Sequence, residues 1–534
     1  MPTRPFQAFG HEPPGRTYFV DATLGLDANC GTAGYPLQTI AAVNALALKP
    51  GDQVLFKRGE SWSGTRLTVP ANGDPGKHIV FGTYGVGARP ILTHTGGTFF
   101  VTGKHHITIK GLNVIAGAAS QHCIRVETAA HNIWIDDCEC SGFKTAAFTE
   151  PASYNGISAS VTGGGMHDIW ITNNIVHDNG ESGICPTGAS DRAYNILIAG
   201  NTCYDNGAAG GTANHGIYCS YITGLRILRN LCYNNQDRNI QVRADATDFL
   251  IEFNTCYGAR TLTGISILDL AVTPNNGIVR NNLCYLNKTS GIFVGTNCVG
   301  NLIEFNTCVN NGDAASSYGI EMGVSTVLGN TVRNNISFQD LAIVGAASGR
   351  QPLRCNSQAV ADGNTFDNNL YFFLGDPAAG VANIAGSSHT MAQWQAEAAA
   401  PDAHGVNADP KFASVVYTTV DADSASGQKV LNVASTAGYN AGEKIWIGQG
   451  TARMEQGVID TIQAGVSLTL LANLTQTHTG AQADVVQSCV YTNLHLQSTS
   501  PAIGAADATV GVVNDFDGVA RGAVTDDVGA YKYV

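Results

Sequence analysis

At 534 residues, with 62 glycines and only 13% charged side chains, the chain is too long for one ordinary core and has a strand- and turn-rich balance. Its net charge of −13 argues against nucleic acid, which needs clustered Lys and Arg, and weakly disfavours a strongly anionic ligand without a compensating cation or basic patch. No stretch approaches the roughly 20 apolar residues of a membrane span, so no membrane insertion is expected.

Residues 1–18 form an N-terminal arm in which no signal peptide is visible. Residues 19–90 follow without internal repetition: a first strand, a short helix expected over Leu37–Leu48, a turn at Pro50–Asp52 and another strand. From about residue 90 to 345 the chain repeats itself. Asn174, Asn201, Asn230, Asn254, Asn282, Asn306 and Asn330 are separated by 27, 29, 24, 28, 24 and 24 residues, and Ile or Val stands three residues before each. A second ladder runs in phase with the first: GISA from Gly156, GICP from Gly183, GIYC from Gly216, NIQV from Asn239, GISI from Gly264, GIFV from Gly291 and GIEM from Gly319.

Each unit holds short alternating strands between Asn, Gly and Asp turns, with no run at helical period. Strands this short cannot bury a face singly, but stacked coil on coil they share a core. The expected fold is all-β: a right-handed parallel β-helix, a solenoid, over residues 91–414, with residues 19–90 as its N-terminal cap and first coils. The repeated Asn tolerates a left-handed backbone and can bond to its equivalent in the next coil. Loops are expected to bulge at Thr145–Tyr154 and Gly207–Asn214, and a helical patch at Met391–Ala400 is expected to pack outside the coil. Residues 415–488 alternate apolar and polar positions between Gly-rich turns and read as a small inserted β-rich module, leaving residues 489–534 as a closing segment.

The opening YFVDATLGLDANCGTAGYPLQTIAAVNAL with KPGDQVLFKRGE resembles the start of pectate-lyase-like β-helix proteins, although Phe19 interrupts the usual Tyr-Val-Asp. DPKF at Asp409–Phe412, LHLQSTSPAIGAA, DFDGVARG and DDVGAYKY resemble the closing signature of the same superfamily, there with the first two pieces nearly adjacent. The inserted module is similar to the strand-rich modules of bacteriophage tail fibres and spikes. These resemblances imply a cell-surface or extracellular polysaccharide bound and cleaved in a groove along the β-helix, by a phage tail spike or fibre depolymerase. The alternatives are a secreted polysaccharide lyase or epimerase, and a non-catalytic receptor-binding or structural β-helix. A spike further implies an extracellular or virion-associated location, tail proteins as partners and a homotrimer. No cofactor is implied, and with no recognisable calcium loop, calcium is neither supported nor excluded.

Cys203, Cys232, Cys256, Cys284 and Cys308 fall two residues after ladder asparagines, and Cys140 occupies the corresponding place in an earlier coil. They are expected to stack inside as small hydrophobes, because single cysteines in line neither require disulfide pairing nor converge tetrahedrally on zinc. Tyr204, Tyr233, Tyr257 and Tyr285 follow them as an aromatic row, either structural or a sugar-stacking strip.

The chemistry belongs on the second ladder. Its Ile points inward, so the next residue and the one two further point out: Ser158 and Ser160, Cys185 and Thr187, Tyr218 and Ser220, Gln241 and Arg243, and later Glu321, with Arg125 and Glu127 one coil earlier. The densest polar stretches are NHGIYCSY and QDRNIQVRAD. They nominate Asp237, Asp245, Asp269 and His215 as catalytic, and Tyr218, Arg238, Arg243, Gln241 and Asp205 as substrate-binding. Carboxylates one or two coils apart would span the separations of retaining and inverting glycosidases, and the acidic balance leans slightly to hydrolysis. A lyase would instead use His215 or Tyr218 as base, with Arg238 and Arg243 on a uronate carboxylate. Against both stand the ordinary duties of these residue types: turn capping for Asp, a surface ion pair for Arg243, a turn position for His215.

Overall fold

The computed structural model describes residues 15–117, 122–142, 154–161, 165–188, 191–208, 214–269, 273–312, 318–324, 326–340, 351–374, 380–397, 401–414, 416–448, 453, 455–488, 493–507, 514–522 and 526–533. The chain forms two compact units, residues 1–278 with 297–299, and residues 279–296 with 300–534. No described helix is long and apolar enough to cross a membrane.

In the first unit each coil contributes three short strands, and equivalent strands of successive coils pair in parallel to build three faces, here A, B and C in coil order. Face A runs from Thr17–Val20 through Gln53–Lys57 to Leu250–Glu252, face B from Ser61–Ser63 to Thr255–Tyr257, and face C from Leu67–Thr68 to Ile265–Ile267. The parallel pairing thus begins at Thr17, far ahead of residue 90: the early coils lack the corner asparagine, so their repetition is hidden in the sequence. The cap helix is a single turn, Ile40–Asn44, with the Thr39 hydroxyl accepting the Ala42 N–H at 3.2 Å. Leu37 is extended instead, bridged in parallel to Val20, which is why the helix starts later than its composition suggests.

The interior is a set of side-chain columns. Ile109, Ile135, Ile171, Ile198, Ile227 and Ile251 stack on face A, and Ile124, Ile157, Ile184, Ile217, Ile240 and Ile265 on face C, all fully buried. Cys140, Cys203, Cys232 and Cys256 line face B at zero exposure. All thirteen described cysteines are free, and only Cys30 is exposed; Cys489 lies outside the described residues.

The corners are made by asparagine. Asn174, Asn201, Asn230 and Asn254 stand at the A-to-B corner; the side-chain oxygens of the last three each accept both the backbone N–H and the side-chain amide of the preceding Asn at 2.9–3.0 Å, and that of Asn174 accepts the Cys138 N–H at 2.9 Å. A second ladder, Asn179, Asn206 and Asn235, turns the B-to-C corner in the same way. It lies five residues after the first in each coil, and the sequence reading missed it. Residues just before these corners adopt left-handed backbone, among them Asn173, Asp178, Asp205, Arg229, Asn234 and Phe253, so each strand ends abruptly.

The second unit repeats the three-strand coil, from Leu283–Tyr285 on face B to Val406–Asn407. Here one expectation is corrected. Asn306 bonds to Asn335, and Asn335 to Asn369, whereas Asn330 belongs to a separate ladder with Asn301 and Asn364 at the C-to-A corner. Val327 stands three residues before Asn330 and imitates the A-to-B pattern, so a period of 24 residues replaced the true 29 between Asn306 and Asn335. The helix Met391–Gln395 carries a capping box at Thr390 and buries Trp394 edge-on against Phe366, 5.1 Å between centroids. Phe412–Ser414 pairs antiparallel with Asn493–Leu496, bringing the DPKF and LHLQ pieces side by side. Between them lies a six-stranded antiparallel sheet with its own core of Val420, Leu431, Ile445, Ile447, Ile459, Leu468 and Val486. Most of the two expected loop bulges, residues 145–153 and 209–213, lies outside the described residues.

Candidate functional site

Face C of the first unit presents two outward columns. Phe100, Arg125, Ser158, Cys185, Tyr218, Gln241 and Ser266 form one; Thr102, Glu127, Ser160, Thr187, Ser220 and Arg243 form the other. Neighbouring members are one strand spacing, roughly 4.8 Å, apart. Pointing outward does not make them wet: Ser158 is 2% exposed, Ser220 4%, Gln241 3% and Ser266 0%. A polar row withdrawn from water in this way strengthens every electrostatic interaction within it.

Along the columns the chemistry changes. Arg125 and Glu127 neutralise each other at 2.7 Å, with Thr102 donating to the same carboxylate at 3.0 Å. Next come hydroxyls, Ser158, Ser160 and Thr187, linked at 3.3 Å. Beyond them lies the group that the sequence nominated. The His215 ring is buried and stacks on Tyr218 with centroids 5.4 Å apart and planes 18° apart. The Arg238 backbone N–H donates to His215 Nδ1 at 3.4 Å, which assigns the ring proton to Nε2. Burial first, then the charges of Arg238 and Arg243, push this imidazole down to about 3, so it is neutral at ordinary pH.

Tyr218 is the phenol of the group. Burial raises its phenol above the usual value, and Cys185 adds to that; Arg243 and a hydrogen bond from Ser220 oppose it and favour the phenolate. Arg238 is lowered by burial, with Asp237 beside it holding its charge, and its Nε is enclosed without a partner among the described residues. Gln241 is the next member of the Tyr218 column. His215, Tyr218, Arg238, Gln241 and Arg243 therefore form one wall with two guanidiniums, a local basic patch in a chain of net charge −13. Ser220, outward in the sequence reading but given no role there, is the missing partner, legible only as the register neighbour of Arg243.

Of the nominated carboxylates, Asp237 stands beside Arg238, and the others lie elsewhere. Asp237 precedes the strand Ile240–Arg243 and accepts the Thr261 hydroxyl at 2.7 Å, whereas Asp245 follows that strand, so the two are at opposite ends. Asp269 is buried, accepts the Asp245 N–H at 2.8 Å, and is bonded by the Asn275 amide. It thereby fixes the left-handed turn of Ala244 and Asp245, both at φ 52°. Burial, then the Asp269 charge and a hydrogen bond between the two carboxyls, raise Asp245. Asp269 is thus occupied in holding this turn. Asp205 is in another place altogether, at the end of a face B strand, paired with Arg260. Adjacency in coil number brought these residues together in the sequence; the corners of the coil separate them.

The tyrosine row also resolves. Tyr204, Tyr233 and Tyr257 stack on one another at 5.0–5.1 Å with planes 4° apart, continuing onto His177 at 4.8 Å. Ring faces consumed by each other are not available to a sugar ring. In the second unit, Glu321 on face C accepts from Ser290 and from Arg354 at 3.0 Å, with the Arg354 guanidinium 5.0 Å above the Tyr318 ring. Burial raises Glu321 above its ordinary value.

A family model described as a right handed beta helix region matches residues 97–255. No curated protein matches the chain in sequence. Among solved structures the chain is similar to a GH136 lacto-N-biosidase from Eubacterium ramulus, at 17% identity over 70% of this chain and 66% of that chain, TM-score 0.47. The match therefore spans just under two thirds of that protein. It is also similar to the pectate lyase Pel9A, at 13% identity over 98% of both chains, TM-score 0.47. XylC in complex with xylose matches at 10% identity over 97% of this chain and 98% of that one, TM-score 0.50. At these identities the likeness is one of architecture, and with the strand ladders it makes the chain a right-handed parallel β-helix protein.

Proposed function

We propose that the protein binds an acidic polysaccharide along face C of the first unit and cleaves it by β-elimination at a uronate residue. The observation that carries this reading is the clustering itself: Tyr218 stacks on the buried, neutral His215 at 5.4 Å, Gln241 follows it in register, and Arg238 and Arg243 bring positive charge to the same place. Arg238 and Arg243 would neutralise the uronate carboxylate, which makes the C5 proton acidic enough to remove. Tyr218, as phenolate, takes that proton; the C5–H electrons form the C4–C5 double bond as the C4–O4 bond breaks; Tyr218 then returns the proton to the departing O4. The solved structures named above include enzymes that carry polysaccharide activities in their names, which is consistent with this reading.

Hydrolysis by Asp245 and Asp269 is less well supported, because Asp269 is buried and caps the turn of Asp245. The test is incubation with polygalacturonate, alginate and glucuronate-containing capsule, following ultraviolet absorbance of the unsaturated uronate alongside new reducing ends. The expected result is both signals together, lost by at least about 100-fold in Tyr218→Phe and retained within a few fold in Asp245→Asn. Reducing ends without the unsaturated product, abolished by Asp245→Asn, would overturn β-elimination in favour of hydrolysis. Binding to these glycans with neither signal would leave a receptor-binding β-helix.

A further inference from the structure

Far from this wall, on face A, three imidazoles converge. His105 and His131 occupy the same register column in adjacent coils, with rings 4.8 Å apart and 23° from parallel. His106 turns its ring nearly perpendicular to His105 and brings Nδ1 to 3.0 Å from His105 Nδ1. One nitrogen from each of His105, His106 and His131 lies within 4.8 Å of the others, the one such group of His, Cys, Asp or Glu among the described residues. We propose that His105, His106 and His131 bind one divalent transition-metal ion, such as zinc, in a three-imidazole site.

Two further observations point the same way. Pure stacking on this molecule gives the tyrosine row, with planes 4° apart. The histidine column is tilted by 21–23° and has a third ring set edge-on beside it. The third ring also comes from an unexpected position. The residues following His105, His131, His167 and Tyr194 form a left-handed column, His106, Asn132, Asp168 and Asn195, with φ from 52° to 55°. That backbone suits Asn and Asp, and only His106 puts an imidazole there.

The donor chemistry fits. Metal–nitrogen bonds of 2.0–2.1 Å place tetrahedral ligand atoms about 3.3 Å apart, so the His105–His106 pair is already at coordination distance and His131 must close by about 1.5 Å. His131 Nδ1 lies 3.2 Å from the Ala129 carbonyl, an N–H donation that leaves Nε2 as the ligand and orients the ring as second-shell bonds do. Asp74 and Asp168 lie close enough to act electrostatically on His106, so negative charge flanks the three neutral donors. An ion here would tie the coil of His105 and His106 to the coil of His131.

The test uses untagged protein titrated with Zn²⁺ and, for its visible spectrum, Co²⁺, with X-ray absorption on the zinc-loaded form. His106→Asn is the variant of choice, because Asn132 and Asn195 already hold that column and the fold should tolerate it. Expected are one tight equivalent per chain, a first shell of nitrogen and oxygen with imidazole scattering, and at least about tenfold weaker binding in both His106→Asn and His131→Gln. Sulfur in the first shell, no tight equivalent, or unchanged affinity in the two variants would overturn the proposal.

Discussion

Truncating one rung of the A-to-B ladder, Asn230→Ala, should be among the most destabilising surface-distant changes in the first unit. The Asn230 side-chain oxygen accepts the Asn201 N–H and side-chain amide, both at 2.9 Å; its amide donates to the Ile198 carbonyl at 2.9 Å and to Asn254 Oδ1 at 3.0 Å. Three of these partners have cover after truncation. The Asn201 amide keeps the Ile171 carbonyl at 2.8 Å, and Asn254 Oδ1 keeps the Asn230 backbone N–H at 2.9 Å. The Ile198 carbonyl keeps its ladder bond from the Leu228 N–H, so the Asn201 N–H is the group left orphaned and buried. One orphaned buried donor costs about 1–3 kcal/mol and each of the three other lost bonds about 0.5–1 kcal/mol, so the loss should be about 3–6 kcal/mol. Asn230→Asp should be worse at neutral pH: it keeps the acceptor but sets a carboxylate oxygen against the Ile198 carbonyl and Asn254 Oδ1. Urea denaturation with the slope held constant measures both. A loss under 1 kcal/mol for Ala, or an Asp variant as stable as the parent, would refute the view that the ladder holds the corner.

Three other outcomes follow from the same structure. Tyr233→Ala removes two parallel stacks and should cost about 1–3 kcal/mol while leaving glycan affinity unchanged in affinity electrophoresis; weakened binding would restore the sugar-strip reading. Activity should rise with pH through the raised Tyr218 value, because the base works deprotonated; a rate that falls as pH rises past the carboxyl range would point to Asp245 as an acid. In the inserted sheet, burial pushes Glu455 and Asp484 up, but hydrogen bonds from Thr475, Gln476 and His478 to the first, and from Arg453 and His478 to the second, hold both below their ordinary 4.5 and 3.8. Their contribution is therefore present above those values and lost as pH falls through the lower values of the fold, so scanning calorimetry should show this module melting earlier below about pH 4. Arg453→Gln should flatten that dependence.

How much of this was legible in the sequence depends on how many times a physical demand repeats. The A-to-B asparagine is required at every turn, so Asn174 to Asn254 stood out, and the cysteine two residues on inherited its inward direction. Asn179, Asn206 and Asn235 meet the same demand at the next corner but were hidden behind the more regular first ladder. Asn330 was misassigned because both corners want the same side chain after an apolar one, and only hydrogen bonding separates them. The site was less legible. Tyr218, Gln241 and Arg243 point out from two paired strands, and His215 and Arg238 just precede those strands, so the five stayed together. Asp205, Asp237 and Asp245 were separated by corners whose positions a linear reading could not weigh. Ser220 gained a role only through its register beside Arg243, and the His105–His106–His131 group only through stacking, since the three do not form a spaced motif.

The asparagine rungs have a consequence for how such a molecule can vary. Successive rungs are separated by 27, 29 and 24 residues, yet their side-chain hydrogen bonds all measure 2.9–3.0 Å. Chain length within a coil is thus decoupled from the rise per coil. Segments joining the faces can be lengthened, shortened or exchanged one coil at a time without altering the spacing of the face C columns. Under the proposed function, ligand preference could be rewritten there while the wall that carries Tyr218 keeps its pitch.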